Sequence, residues 1–214
     1  MLKKFSTAMC TVRAGTITEE SRLHFPATLQ NRQAIWEVLR PLAELAPGPI
    51  LEVASGSGEH LAYFQQQDPR ITWQGSDPEP EHRASIQAWN PAAPVALDLD
   101  VRLWPSTQQW GGIVAINLLH ISPWEATVGL MRGAATHLHP QGWLYLYGAY
   151  LRRDRNNAPS NLAFDQSLRQ QNPAWGVRWL DEVVAQAELH RLRLDSIVDM
   201  PSNNFSLIFR PLEA

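Results

Sequence analysis

Apolar residues along the chain switch repeatedly between the spacing of a helix and the short unbroken runs of a buried strand. From about residue 24, Ile35, Val38, Leu39, Leu42 and Leu45 recur at helical intervals until Pro47-Gly48-Pro49 ends them. A strand is predicted at 50–53, then a helix over 59–67 that carries Leu61, Ala62 and Phe64 and stops before Pro69. Residues 71–77 read as a second strand. Pro78 and Pro80 open the next helix, since a first turn tolerates proline; Ile86 and Trp89 give it an apolar side, and Pro91 and Pro94 close it. Further strands are expected at 95–99, 112–117 and 143–147, the last preceded by a helix bearing Leu130, Met131, Ala134 and Leu138 and by a turn at Pro140-Gln141-Gly142. Leu180, Val183, Val184 and Ala187 mark a final helix. Two strands remain, 192–200 and 205–209, joined by Pro201-Ser202-Asn203-Asn204; so short a link makes a hairpin and sets the last strand antiparallel. Strands alternating with helices predict an α/β domain with a mostly parallel sheet.

Residues 151–176 break the pattern. They run through Arg152-Arg153-Asp154-Arg155, Pro159-Ser160-Asn161, Phe164-Asp165 and Asn172-Pro173-Ala174-Trp175-Gly176 and read as an irregular insertion, a lid or collar over a substrate. Its arginines suit either an anionic substrate or solvent.

Composition narrows the class. With 44% hydrophobic and 18% charged residues, one compact domain is expected at 23–214, behind a flexible leader at 1–22. The first 18 residues hold no acid and carry Lys3, Lys4 and Arg13, a faint resemblance to a transit peptide; a disordered leader or a start at Met9 accounts for them better. A net charge of −3 gives no basic footprint for nucleic acid. The single Cys10 leaves no intrachain disulfide, and no apolar run reaches the roughly 18 residues of a membrane span. The expected protein is cytoplasmic, with no nucleic-acid or membrane partner.

The chemistry gathers at 50–60. The apolar Ile50-Leu51-Glu52-Val53 passes into Ala54-Ser55-Gly56-Ser57-Gly58 and then into the helix at Glu59-His60. Glycine there accepts positive φ and lets a ligand approach the backbone, while the exposed amides of the helix start attract an electron-rich group. Asp77 ends the second strand 77 − 58 = 19 residues after Gly58, close to the ~20 at which a second-strand acid bonds ribose hydroxyls. Residue 61 is leucine, so the third glycine of the dinucleotide turn is missing. The stretch instead resembles the E-x-G-x-G-x-G turn of class I S-adenosylmethionine-dependent methyltransferases, with Glu52 in the acidic place, Gly56 and Gly58 in the last two glycine places, and Ala54 where the first glycine normally stands.

In that architecture an acid near the end of the third strand reaches the adenine amino group. Asp98 and Asp100 both qualify, and Asp100 is favoured because it lies beyond the alternating strand. Asn117 and His120 follow the 112–117 strand and arrive beyond its carboxyl end, where ligands of open α/β sheets bind. An imidazole there can serve as a general base or shape the pocket. The N/D-P-P-Y/F tetrapeptide linked to methylation of amino groups on bases and glutamine is absent. Tyr147 and Tyr150 emerge toward the same end, and Asn31 and Arg32 near the first helix start could face a ligand. His137 and His139 stand beside Pro140 without a metal-binding pattern, so no metal is expected.

Several further runs, among them Ser76-Asp77-Pro78, Ile116-Asn117-Leu118-Leu119-His120-Ile121-Ser122-Pro123-Trp124, Tyr145-Leu146-Tyr147-Gly148 and Asp199-Met200-Pro201-Ser202-Asn203-Asn204, resemble those of a poorly characterised methyltransferase-like family. It is catalogued as a domain of unknown function and includes the animal methyltransferase-like 26. The resemblance extends over about residues 25–210 and covers Ala54 too. It implies a three-layer Rossmann-like class I methyltransferase fold, with a mostly parallel seven-stranded sheet and an antiparallel last strand. It further implies S-adenosylmethionine as cofactor, held by Glu52, Ala54, Ser55, Gly56, Gly58, Asp77, Asp100 and Asn117. His120, Asn117 and Tyr147 are the candidates on the side of a small-molecule methyl acceptor. Two other readings stand beside it: a regulatory protein that binds the cofactor without turnover, and a nicotinamide-dependent oxidoreductase.

Overall fold

The computed structural model describes residues 19–104 and 107–212. Residues 1–18, and with them most of the expected leader, lie outside the described residues. Glu19–Ser21 forms one 3-10 turn. Beyond it Arg22 Nε donates to Ala88 O (3.0 Å), and Leu23 N–H to Ser85 Oγ (2.8 Å).

Among the described residues six α-helices and seven strands follow: α1 (Pro26–Glu44), β1 (Ile50–Val53), α2 (Glu59–Gln67), β2 (Trp73–Gly75), α3 (Pro80–Trp89), β3 (Trp110–Ile116), α4 (Trp124–His137), β4 (Leu138–Leu151), α5 (Pro159–Gln171), β5 (Arg178–Trp179), α6 (Leu180–Leu189), β6 (Leu192–Met200) and β7 (Asn204–Pro211). The sheet runs β2-β1-β3-β4-β7-β6. β1 pairs in parallel with β2 and β3, and β3 with β4, while β7 lies antiparallel to both β4 and β6. This is the mostly parallel α/β sheet expected from the alternating pattern, antiparallel last strand included, in the Rossmann-like form that the resemblance implies.

Both sheet faces are covered, so strand residues alternate between two cores. Ile50, Val114, Trp143, Tyr145 and Tyr147 face Ile35, Trp36 and Leu39 of α1 and Leu61 and Phe64 of α2. Leu51, Val53, Ile113, Leu144 and Leu146 face Leu130, Met131 and Ala134 of α4 and Val183 and Ala187 of α6.

Two expectations are corrected. The strand at 95–99 shrinks to a single bridge, Ser76↔Leu97, made by Leu97 N–H to Gly75 O (3.0 Å) and Asp77 N–H to Leu97 O (3.1 Å). Pro94 brings no N–H to a ladder, and Val95 is 79% exposed, so the chain only grazes the sheet edge. The seventh strand is instead β5, two residues pairing with the far end of β4 through Tyr150↔Arg178 and Leu151↔Trp179. The 151–176 insertion is also less irregular than its sequence suggests: Pro159 sits at the start of α5, which buries only Asn161 and Leu168. So narrow a buried stripe leaves little periodicity to read. No described helix is long and apolar enough to cross a membrane.

Candidate active site

The order of strands reverses at β1, which has β2 on one side and β3 on the other. Beyond the carboxyl ends of these strands lie two neighbouring cavities, where an open α/β sheet binds its ligands. The first, about 310 Å³, is lined by Phe25, Thr28, Glu52, residues 54–57, His60, Asp77, His82, Asn117 and apolar groups of 116–121. The second, about 440 Å³, includes Asn31, Asn117, His120, Tyr147, Asn161 and Asn204. Ala27 and Asn117 belong to both walls. A larger open hollow of about 660 Å³ lies at the opposite end of β1 and β2 and contains none of these residues.

The turn between β1 and α2 shapes the first cavity. Ala54 (φ 50), Gly56 (φ 56) and Gly58 (φ 85) all take left-handed backbone conformations. At Gly58 a Cβ would lie 2.7 Å from Ile86 Cα, so glycine there lets α2 begin against α3. Ala54 carries its methyl at a φ where glycine is the less strained residue, as expected of a wall under local constraint.

Two buried carboxylates face this cavity in different states of satisfaction, beside the exposed Glu79. Asp77 accepts from Gly56 N–H at Oδ2 (3.0 Å) and from Glu79 N–H (2.9 Å) and His82 Nδ1 (3.0 Å) at Oδ1. Of its roughly four lone-pair positions, one remains for a ligand hydroxyl. Glu52 is 1% exposed, and its Oε2 is buried without a partner. Burial pushes its pKa from 4.5 up to about 8; the Asp77 charge adds to the rise and the Ser55 hydroxyl opposes it. A cationic ligand group would give this carboxyl its missing partner.

Asn117 (φ 60) turns the chain out of β3, its N–H donating to Tyr147 O (2.8 Å). Asparagine is one of the few side chains that adopt this conformation readily. His120 is buried, edge-on to Phe164 with centroids 5.2 Å apart. Burial, helped by the Arg178 charge, lowers its pKa to about 4, so the imidazole is neutral near pH 7. Arg178 itself is held by the carbonyls of Leu119 (2.9 Å), Ser122 (2.5 Å) and Ala174 (3.0 Å). Burial raises the pKa of Tyr147 against hydrogen bonds from Asn31 and Asn204, so the phenol keeps its proton.

Asp100 and Asp98 are not brought into either cavity. Asp100 is closed on Arg102 by a two-pronged pair at 3.0 and 2.5 Å, and Asp98, 73% exposed, pairs with Arg83 at 3.3 Å. The insertion's arginines are likewise committed: Arg152 to Asp154 (2.5 Å), Arg153 to Asp181 and Glu182, and Arg155 to Asp199 (3.2 Å). Tyr150 lies in the core facing α4 and α6, away from both cavities.

The sequence reading missed His60 and His82. His60 lines the first cavity and donates from Nε2 to Asn31 Oδ1 (2.8 Å); burial and the Arg32 charge lower its pKa to about 4. Its position in the first turn after the glycines was the available signal.

The fold and this paired cleft define a Rossmann-like α/β protein with two neighbouring cavities at its switch point. The chain matches, over residues 22–211, the family described as Protein of unknown function (DUF938), and it belongs to that family. Its fold is similar to that of CalO1, a methyltransferase in calicheamicin biosynthesis seen in its SAH-bound form (TM-score 0.68, 17% identity, 86% of this chain and 55% of that one). The pyocyanin biosynthetic protein PhzM is similar too (TM-score 0.70, 16% identity, 86% and 56%), as is human N-acetylserotonin methyltransferase in complex with SAM (TM-score 0.65, 14% identity, 86% and 56%). At such identities the likeness is one of fold, and this chain spans little more than half the length of those chains.

Proposed function

We propose that this chain binds S-adenosylmethionine in the first cavity and methylates a small molecule held in the second. The observation that carries the reading is the unpartnered, buried carboxyl of Glu52 facing a switch-point cavity that shares a wall with another. Glu52 would meet the cationic methionine end, with the turn of Ala54, Ser55, Gly56 and Gly58 beside it. Asp77 would take a ribose hydroxyl with its remaining lone pair. Phe25, Leu118 and Ile121 supply apolar surface for the base. The adenine contact expected of Asp100 is not carried forward, since Arg102 occupies that carboxylate.

When bound, S-adenosylmethionine supplies an electrophilic methyl group. The chain's own task is then mostly to position the nucleophile. Asn117, in both walls, fixes where acceptor and cofactor meet. A ring nitrogen of His120 can take a proton from an acceptor hydroxyl, and the Tyr147 phenol can orient the acceptor by donation. The likeness to structures holding SAH or SAM supports this reading, and a cytoplasmic place accords with it. One observation favours binding without turnover: an imidazole with a pKa near 4 is a weak base.

Calorimetric titration with S-adenosylmethionine, S-adenosylhomocysteine and NAD tests the proposal. Saturable binding of the first two without NAD is expected. Binding of NAD alone, or of nothing by the folded protein, would overturn it.

A further inference from the structure

Building on that reading, we infer that the methyl acceptor is an uncharged molecule recognised through several hydrogen bonds, and that carboxylates, phosphates and amines of the same size are rejected.

The fourteen residues lining the second cavity include no Asp, Glu, Lys or Arg. Five of them, Gln30, Asn31, Asn117, Asn161 and Asn204, carry carboxamides, each both donor and acceptor. His120, the one titratable base in the wall, is neutral near pH 7. An ion entering such a cavity leaves water and finds no opposite charge, whereas a hydroxyl, ether, carbonyl or amide finds partners of either polarity.

The charges around the cavity are spent elsewhere. Arg152 and Arg155 line the adjoining hollow, which shares Asn161 and Asn204 with this one, and both are paired with aspartates. Arg178, beside His120, is held by three carbonyl oxygens. Arg32 lies over the Tyr63 ring, 4.7 Å from its centroid.

One of these carboxamides also has a fixed sense. Asn31 Oδ1 accepts from His60 Nε2 at 2.8 Å, which leaves the Asn31 amide N–H to act as a donor in the second cavity. The Tyr147 phenol in the same wall keeps its proton, so its hydroxyl is able to donate as well as accept. The acceptor molecule should present an oxygen to that donor and a hydroxyl to His120.

The test uses protein saturated with S-adenosylhomocysteine, its binding measured first and separately. Trios of hydroxylated benzamides, benzoates and benzylamines, matched in size and ring substitution and carrying no charge, a negative charge and a positive charge respectively, are then compared by ligand-observed NMR. The benzamides should bind, with benzoates and benzylamines about 100-fold weaker. Charged members binding as tightly as their neutral counterparts, or no member of any trio binding, would overturn the inference. Failure of S-adenosylhomocysteine to bind would instead strike the methyltransferase reading itself. Ser202→Asp adds a carboxylate to the cavity wall at a residue whose φ of 59 suits aspartate. It should shift preference toward the benzylamines; an unchanged order would mean that the ligands bind elsewhere, which also overturns it.

Discussion

Replacing Glu52 with glutamine should make the ligand-free protein more stable at neutral pH. The carboxyl is shut away from water, and its folded pKa of about 8 stands above the ordinary 4.5. The folded state therefore prefers the proton, and the unfolded chain gives it up first. Stability is full below about pH 4.5 and is lost progressively as pH rises toward 8. At pH 7 the loss is the 2.5 units above 4.5 taken at about 1.4 kcal/mol each, or roughly 3 kcal/mol. Glutamine keeps the shape and never ionises. Glu52→Gln should match the wild type near pH 4.5 and melt about 6–12 °C higher at pH 7, at roughly 2–4 °C per kcal/mol for a domain of this size. Thermal melts followed by circular dichroism across this range, without ligand, give the answer. A gap that does not change with pH, or a variant less stable than wild type at pH 8, would refute the argument. The same carboxyl is about nine-tenths protonated at pH 7, so a cationic ligand that ionises it should release close to one proton. Calorimetry in buffers of different ionisation enthalpy would register that proton, and the glutamine variant should not show it.

His120→Gln should lower methyl transfer by about 10²–10⁴-fold while leaving S-adenosylhomocysteine affinity within error, as steady-state rates and titration would show. Because burial keeps the His120 pKa near 4, wild-type activity should persist at about pH 5, where an ordinary histidine is already charged, and fall only as pH approaches 4. Gly58→Ala should cost about 2 kcal/mol or more in chemical denaturation, because its φ of 85 is hostile to a side chain and the added methyl meets Ile86 backbone at 2.7 Å.

The parts of the molecule legible in the sequence are those whose local chemistry has few solutions. A glycine turn between an apolar run and a helix start allows little besides β1 and α2, and the Pro201–Asn204 link allows little besides a hairpin. The strand expected at 95–99 is absent although Ala96 and Leu99 are buried in the two cores, because only Leu97 bridges the sheet edge: apolar residues can fill a core without joining a ladder. α5 escaped because a helix covering one side of a cavity has few apolar positions to repeat. Asp100 was misplaced because its partner is local: Asp100-Val101-Arg102 closes on itself as Asp68-Pro69-Arg70 does, with Arg70 Nη2 2.6 Å from Asp68 Oδ2. An acid with an arginine two residues on in a turn was a readable warning. The His60–Asn31 bond joins residues 29 apart, and no local pattern announces it.

The two cavities draw on different lengths of chain. Every residue around the first comes from positions 25–121, whereas the second adds segments from 147 to 204 to a floor at 27–34. Those later segments meet through Asn161 Nδ2 to Asn203 O (2.9 Å) and Asn203 Nδ2 to Ser160 Oγ (3.1 Å). The wall of the second cavity can therefore be recast by exchanging the stretch around α5 and the terminal hairpin without touching a residue that lines the first.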